Sequence, residues 1–334
     1  GGPPRIVIPS PLLRWPGAVP GEGAAAGVTA FYTNPYVEQR ALEAGRGFVD
    51  LSHWRVGRGA AGAFPCADNA REVLECDAQG QIRGALLRCA GGAGDVFLSP
   101  PGGLEPSGLE PGGLDSTMYP ANYIAIGTTT HGAERLRTAM RGRPGLSASF
   151  WEDWWPDSDR VILLIDNIEE LARAGQAAGM APVGLFAWDA YRAAARRPDP
   201  FRAARAGVRL AEIYGPGVAG ARESRVAGTA RLGGAARSLA CLYLEGPDAA
   251  DLPEPGDPVV AERGDGAVIG RVTSAVRHWE EGPLALALMR QPAPLGAVLV
   301  GEFRCGVEPI SLPTHAPVAV TIRESGEKSV VGRD

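Results

Sequence analysis

The stretch that most restricts the fold is Leu252 to Glu302, LPEPGDPVVAERGDGAVIGRVTSAVRHWEEGPLALALMRQPAPLGAVLVGE. Pro255-Gly256-Asp257-Pro258 reads as a turn, because proline fixes φ and glycine permits φ > 0. Val259 to Ala261, Ala267 to Thr273, Leu284 to Met289 and Ala297 to Val300 are short apolar or β-rich runs between turn signals. Strands so short and closely spaced cannot each bury a face alone, so they predict a small closed or sandwiched β domain.

The chain has 334 residues, more than one core usually serves, so two or more structural units are expected. A net charge of −5 gives no reason to expect a nucleic-acid partner. No run has the length of a membrane-spanning helix, and the proline-broken start lacks the apolar core of a signal peptide. The expectation is a cytoplasmic protein with no membrane partner. Lysine is reduced to Lys328 in the polar tail. A P-loop needs a lysine beside its glycines and a pyridoxal enzyme needs a buried one, so both chemistries are excluded. The five cysteines, at 66, 76, 89, 241 and 305, form no Cys-x-x-Cys pair and have no zinc-finger spacing, so no metal site is expected. They read as reduced, buried small hydrophobes, with a cluster-ligand or redox role as the alternative for the three between 66 and 89.

Upstream of the β-rich stretch the elements alternate. Residues 1–27, rich in Gly, Pro and Ala, read as an irregular arm. Asn34-Pro35 starts a helix that ends at Gly45, and Phe48 to His53 is a strand entering a turn. Gly57-x-Gly59-x-x-Gly62 and Gly215-x-Gly217-x-x-Gly220 match the dinucleotide fingerprint, but Pro65 sits where the required helix would run. With 46 glycines such matches arise by chance, and both read as loops. Residues 101–115, a near-repeat of Gly-Leu-Glu-Pro, read as a loop, either a lid or a solvated connection. Tyr123 to Ile126 reads as a strand and Ala133 to Met140 as a helix. Val161 to Ile165 is a buried strand, and Asn167 caps a helix that Gly179 ends. Phe186 to Arg197 is a helix stopped by Pro198. Leu239 to Leu244 enters the β domain, and Pro317 to Ile322 is its expected last strand.

Two phrases carry a family resemblance. Gly256-Asp257-Pro258 followed by Gly270-Arg271-Val272-Thr273-Ser274 resembles the C-terminal barrel of the glycine-cleavage T-protein superfamily. The order Asn34-Pro35-x-x-Glu38-Gln39-Arg40-Ala41-Leu42, then Gly45 to His53 (GRGFVDLSH), resembles the opening of its YgfZ-type, folate-binding branch. The resemblance implies an α+β fold: a two-lobed body around a central cavity over residues 28–237, a C-terminal β-barrel over 238–322, and a flexible tail over 323–334. It also implies tetrahydrofolate as cofactor, and one-carbon transfer or maintenance of iron–sulfur enzymes as function.

The family's reactive groups are not matched. Where T-proteins place two neighbouring aspartates, one of them catalytic, this chain has Gly84 and Ala85. Where they hold the pterin with a glutamate it has Ala194, as YgfZ-type proteins tend to. Where the YgfZ branch carries Lys-Gly-Cys-Tyr-x-Gly-Gln-Glu, the alignable residues are Gly217, Val218, Ala219, Arg222 and Glu223. The segment after DLSH is also short by about two dozen residues, as a loop change permits.

The site candidates are correspondingly few. Asp189 and Arg192 match the family's folate-facing helix. Asp189 either accepts from the donor edge of a pterin or pairs with Arg192 or Arg196. Arg222 either clamps a carboxylate or is a surface arginine. Trp151 and Trp154, in Phe150 to Pro156 with three of the chain's seven tryptophans, either stack on a flat ligand or close a seam between subdomains. His53 and Glu223 are the remaining catalytic candidates, His53 serving as a base or in a structural hydrogen bond. Three functions stay open: a folate-binding protein of the YgfZ type, a repurposed enzyme that transforms another small molecule on the same scaffold, and a non-catalytic interaction protein.

Overall fold

The computed structural model describes residues 9–58, 71–77, 79–89, 96–99, 123–143, 145–199, 202, 208–214, 237–247, 250–263, 266–291, 296–312 and 317–323. The arm is more regular than its composition suggests. Ser10 Oγ accepts from Leu12 N at 3.1 Å and caps a 3-10 turn, Pro11–Arg14. Strand β1 (Val19–Pro20) then pairs with β2 (Thr29–Phe31). Helix α1 (Pro35–Glu43) begins as expected, with Asn34 Oδ1 accepting from Tyr36 N. It ends at Gly45, whose φ of 63° suits glycine.

Two five-stranded sheets follow. The first is built from β3 (Gly47–Asp50), β8 (Ile124–Thr129), β9 (Leu146–Glu152), β10 (Arg160–Ile165) and β11 (Ala181–Val183), in the order β11-β3-β8-β10-β9. The second holds β4 (Arg55–Arg58), β5 (Glu72–Asp77), β6 (Ile82–Cys89), β7 (Val96–Ser99) and the last strand, β18 (Val318–Arg323), in the order β18-β5-β6-β7-β4. In each sheet a single edge pair is parallel, β11 with β3 and β18 with β5. A nucleotide-type parallel sheet is therefore absent among the described residues. All six residues of β10 are buried: Arg160, which pairs with Asp153, and the apolar run Val161 to Ile165, covered on both faces.

Helices α2 (Thr130–Ala139) and α3 (Ile168–Ala177) cover one face of the first sheet, with Leu12 of the arm and Tyr32 after β2 in the same core. Its other face meets the second sheet in a larger core. Helix α4 (Leu185–Ala194), the short α5 (Leu210–Tyr214) and the outside of the barrel all share that core. The barrel is closed by six antiparallel strands: β12 (Arg237–Glu245), β13 (Pro258–Ala261), β14 (Val268–His278), β15 (Gly282–Arg290), β16 (Val298–Val300) and β17 (Phe303–Pro309). β14 alternates inward and outward residues, the period-two pattern of a half-buried strand.

One expectation is corrected. Val318–Arg323 is not the barrel's last strand, because β17 pairs with β12 and leaves the barrel no edge. The barrel strands end at Pro309, short of the expected boundary at 322. The chain returns to the body, where Val318 to Arg323 pair in register with Glu72 to Asp77. Val318 and Val320 pack on the inter-sheet core, so the apolar run has a face to bury there.

The EQR phrase of α1 ties these units together. Glu38 Oε1 accepts from the backbone N–H groups of Tyr32 and Thr33, each at 2.7 Å, and Oε2 accepts from Gly184 N at 2.7 Å. Gln39 donates to Arg277 O and accepts from Trp279 N, both in the barrel. Glu43 accepts from Trp279 Nε1 at 2.8 Å and lies 3.1 Å from His278 Nε2.

Candidate functional site

Where the two sheets meet, a charged cluster is enclosed by rings. Strand β5 carries Glu72 inward, with no exposed surface. Its Oε1 accepts from Arg197 and from Trp154 Nε1 (3.1 Å), and its Oε2 from Tyr214 OH (2.6 Å). Arg197 also donates through Nε to Asp153 Oδ1 at 3.2 Å. Asp153 Oδ2 in turn accepts from Ser158 Oγ and Arg160 Nη2, each at 2.7 Å. The guanidinium of Arg197 lies 4.9 Å from the Trp154 ring centre and 5.1 Å from that of Trp155. Trp154 stacks on Tyr214 at 5.9 Å, and Arg160 covers Trp188 at 4.9 Å.

Local structure places each group. Helix α4 ends at Ala194, earlier than Pro198 requires, because Arg196 turns left-handed with φ 57°. That conformation is disfavoured for a residue with a Cβ. Here it is held by Arg196's bonds to Glu281, Tyr243 and Glu308 on the barrel. The reversal turns Arg197 inward, and Arg192 Nη1 fixes it by donating to Arg197 O.

Two carboxylates, Glu72 and Asp153, face two guanidinium groups, Arg197 and Arg160, so the buried cluster is balanced. Burial pushes the Arg197 guanidinium down from its ordinary value, while Tyr214 opposes that shift. Burial likewise pushes the Tyr214 hydroxyl up to about 12. Arg197 Nη1 is buried with no hydrogen-bond partner among the described residues. Such a donor costs free energy unless an acceptor reaches it.

The sequence candidates separate. Trp154 lies in the cluster. Trp151 is beside it, 1% exposed, donating through Nε1 to Arg71 O. Asp189 and Arg192 form their own node. Asp189 Oδ1 accepts from Arg192 Nη2 at 2.7 Å, and Oδ2 lies 3.0 Å from Arg202 Nη1. Burial opposes ionisation of Asp189, but the two arginines outweigh it and hold the carboxyl well below the usual range. Arg192 also donates to Ser274 Oγ in the Val-Thr-Ser phrase of the barrel. Of the two readings weighed for Asp189, the arginine pair is the one observed, with Arg192 and Arg202 rather than Arg196. His53 stands apart: burial pushes it down to about 4, and its Nδ1 is buried without a partner among the described residues. Arg222, Glu223, Cys66, the Gly-Leu-Glu-Pro repeat and most of both glycine phrases lie outside the described residues.

Sequence reasoning did not single out Glu72, Asp153 or Arg197. One signal was present: Glu72 and Glu75 flank the apolar pair Val73-Leu74, and an inward carboxylate requires a partner. The four described cysteines are buried, and burial raises every thiol, that of Cys76 to about 12 and that of Cys305 to about 11. None of them is a ready nucleophile. Among the described residues no three His, Cys, Asp or Glu side chains gather as metal ligands.

No protein-family model matches the sequence. No curated protein matches it either. The fold does have relatives, with 27 solved chains matching. One is the glycine cleavage system aminomethyltransferase T of Bartonella henselae, with a TM-score of 0.58 at 14% identity. The match covers 92% of this chain and 97% of that one. The fold resembles that of this aminomethyltransferase. It spans both sheets and the barrel, so the aminomethyltransferase architecture accounts for the α+β body and the closed six-stranded barrel together.

Proposed function

We propose that this chain is a YgfZ-like, tetrahydrofolate-binding protein that acts in one-carbon transfer or in the maintenance of iron–sulfur enzymes. The observation that carries the reading is Arg197 Nη1, a buried donor without a partner among the described residues, beside the ring of Trp154 at the junction of the two sheets. Support for the scaffold comes from the aminomethyltransferase match along nearly the whole chain, and for the guest from the sequence phrases at both ends. A folate fits these groups in part. Its flat ring system suits an aromatic wall, and its ring carbonyl or carboxylates suit an arginine donor. Its donor edge finds no free carboxylate at Asp189 or Glu72, whose oxygens are already engaged. Trp154 and Arg197 would hold the guest, and the bound folate would supply any one-carbon chemistry. The test is titration with tetrahydrofolate followed by tryptophan fluorescence. Saturable quenching is expected, weakened about tenfold or more in Arg197→Met. No response at millimolar tetrahydrofolate removes the reading.

The same mismatch favours a second reading. A site that offers a donor where a pterin needs acceptors suits a repurposed enzyme whose substrate carries a carboxylate or carbonyl. Native mass spectrometry of the purified chain distinguishes the two. A retained non-folate acid, with tetrahydrofolate silent, supports the second.

A further inference from the structure

A second feature lies at the rim. The turn between β5 and β6, the start of α5 and the ends of β12 and β15 enclose a cleft of about 600 Å³. Four arginines line it, Arg83, Arg209, Arg237 and Arg290, against two carboxylates, Asp77 and Glu212. Two of the arginines are neutralised. Arg83 binds Asp77 Oδ2 at 2.7 Å through Nη2 and 3.0 Å through Nε. Arg237 takes both oxygens of Glu212, at 2.8 and 2.9 Å. The guanidinium groups of Arg209 and Arg290 have no carboxylate partner among the described residues, so the described lining carries a surplus of two positive charges on a chain of net charge −5.

The register sharpens this. Arg237 and Arg290 are direct cross-strand partners in the β12–β15 ladder. Like charges placed opposite each other destabilise a ladder, and Glu212 compensates only Arg237. Arg209 is fixed at its backbone, which donates to Glu212 Oε2 at 2.9 Å and bridges to Gln81.

We propose that this cleft binds a small dianion, two carboxylate groups or a phosphate on one compact molecule, clamped between Arg209 and Arg290. Guanidinium groups match the planar oxygens of either. The inference does not rest on the folate reading, because no cleft residue belongs to the Glu72–Arg197 cluster.

The test is calorimetric titration of the full chain at constant ionic strength with inorganic pyrophosphate and, separately, succinate. Sodium chloride is the control. Saturable binding of at least one probe is expected. Arg209→Gln and Arg290→Gln should each weaken it about tenfold, and the double variant should abolish it. Both arginines are exposed, so circular dichroism should show the fold retained. Arg135→Gln, on α2 outside the cleft, should leave the affinity unchanged. Binding of pyrophosphate alone assigns a phosphate ligand, and of succinate alone a dicarboxylate. Heat that only follows ionic strength, or that survives the double variant, overturns the proposal, as does no heat with either probe.

Discussion

At the scale of single residues, the interior holds charges that must be paired to be tolerated. Arg197, 1% exposed, is the clearest case. Removing one partner of a buried ion pair leaves the other uncompensated, at a cost of about 3–5 kcal/mol. Arg197→Met should lower stability by that amount in urea unfolding. Glu72→Met added to it should recover part of the loss, and a double variant no more stable than the single would refute the pairing argument. His53 gives a pH signature of the opposite kind. Its folded value, about 4, lies below the ordinary 6.5 because burial penalises the cation. The unfolded chain therefore binds the extra proton first. The stability due to neutral His53 is full above pH 6.5 and is lost as pH falls toward 4, on the order of 3 kcal/mol across that window. His53→Gln should flatten the stability profile between those pH values. A profile unchanged by the substitution would show that other groups govern it.

Among the elements, Glu38 shows what was legible in the sequence and what was not. The helix around it could be read from Asn34, Pro35 and Gly45, because caps and breakers act locally. The clamp was not readable, because Gly184, whose N–H it accepts, lies 146 residues away. Glu38→Gln keeps one acceptor but sets an amide where Gly184 N–H needs another. A loss of about 1–3 kcal/mol is expected by thermal or urea unfolding. A loss within error would reduce the EQR phrase to helix propensity. The barrel strands were legible for the same local reason, since alternation and turns mark them. β18 was misplaced, because a six-residue apolar run does not encode which sheet has a vacant edge. The Trp151 to Trp155 run was visible as an aromatic concentration. Its partners Glu72, Arg197 and Tyr214 come from three other segments, and only tertiary structure assembles them.

On the scale of the whole molecule, body and barrel are joined at several points, and they are expected to unfold as one cooperative unit. Gln39 and Glu43 reach the β14–β15 turn, Arg192 reaches Ser274, and Arg196 reaches Glu281, Tyr243 and Glu308. β18 then carries the chain from the closed barrel back to the second sheet. The side-chain junctions are polar and directional, and the barrel also shares the inter-sheet apolar core, so weakening one unit should weaken the other. The barrel itself does not need β18, because β17 and β12 already close it. The second sheet does: without β18, strand β5 becomes an exposed edge, and the core loses the apolar contacts of Val318 and Val320. A chain ending at Leu312 should therefore unfold at a temperature lower by roughly 5 °C or more. Hydrogen exchange should show where the loss falls. In the intact chain, amides of β10 and β15 should open with the same free energy, as one cooperative unit. In the shortened chain, exchange should quicken in β5 and β6 and then in β15, through the Arg196 junction. Protection in β15 that is untouched while β5 exchanges freely would mean that the barrel folds alone, and the coupling argued from these contacts would fail.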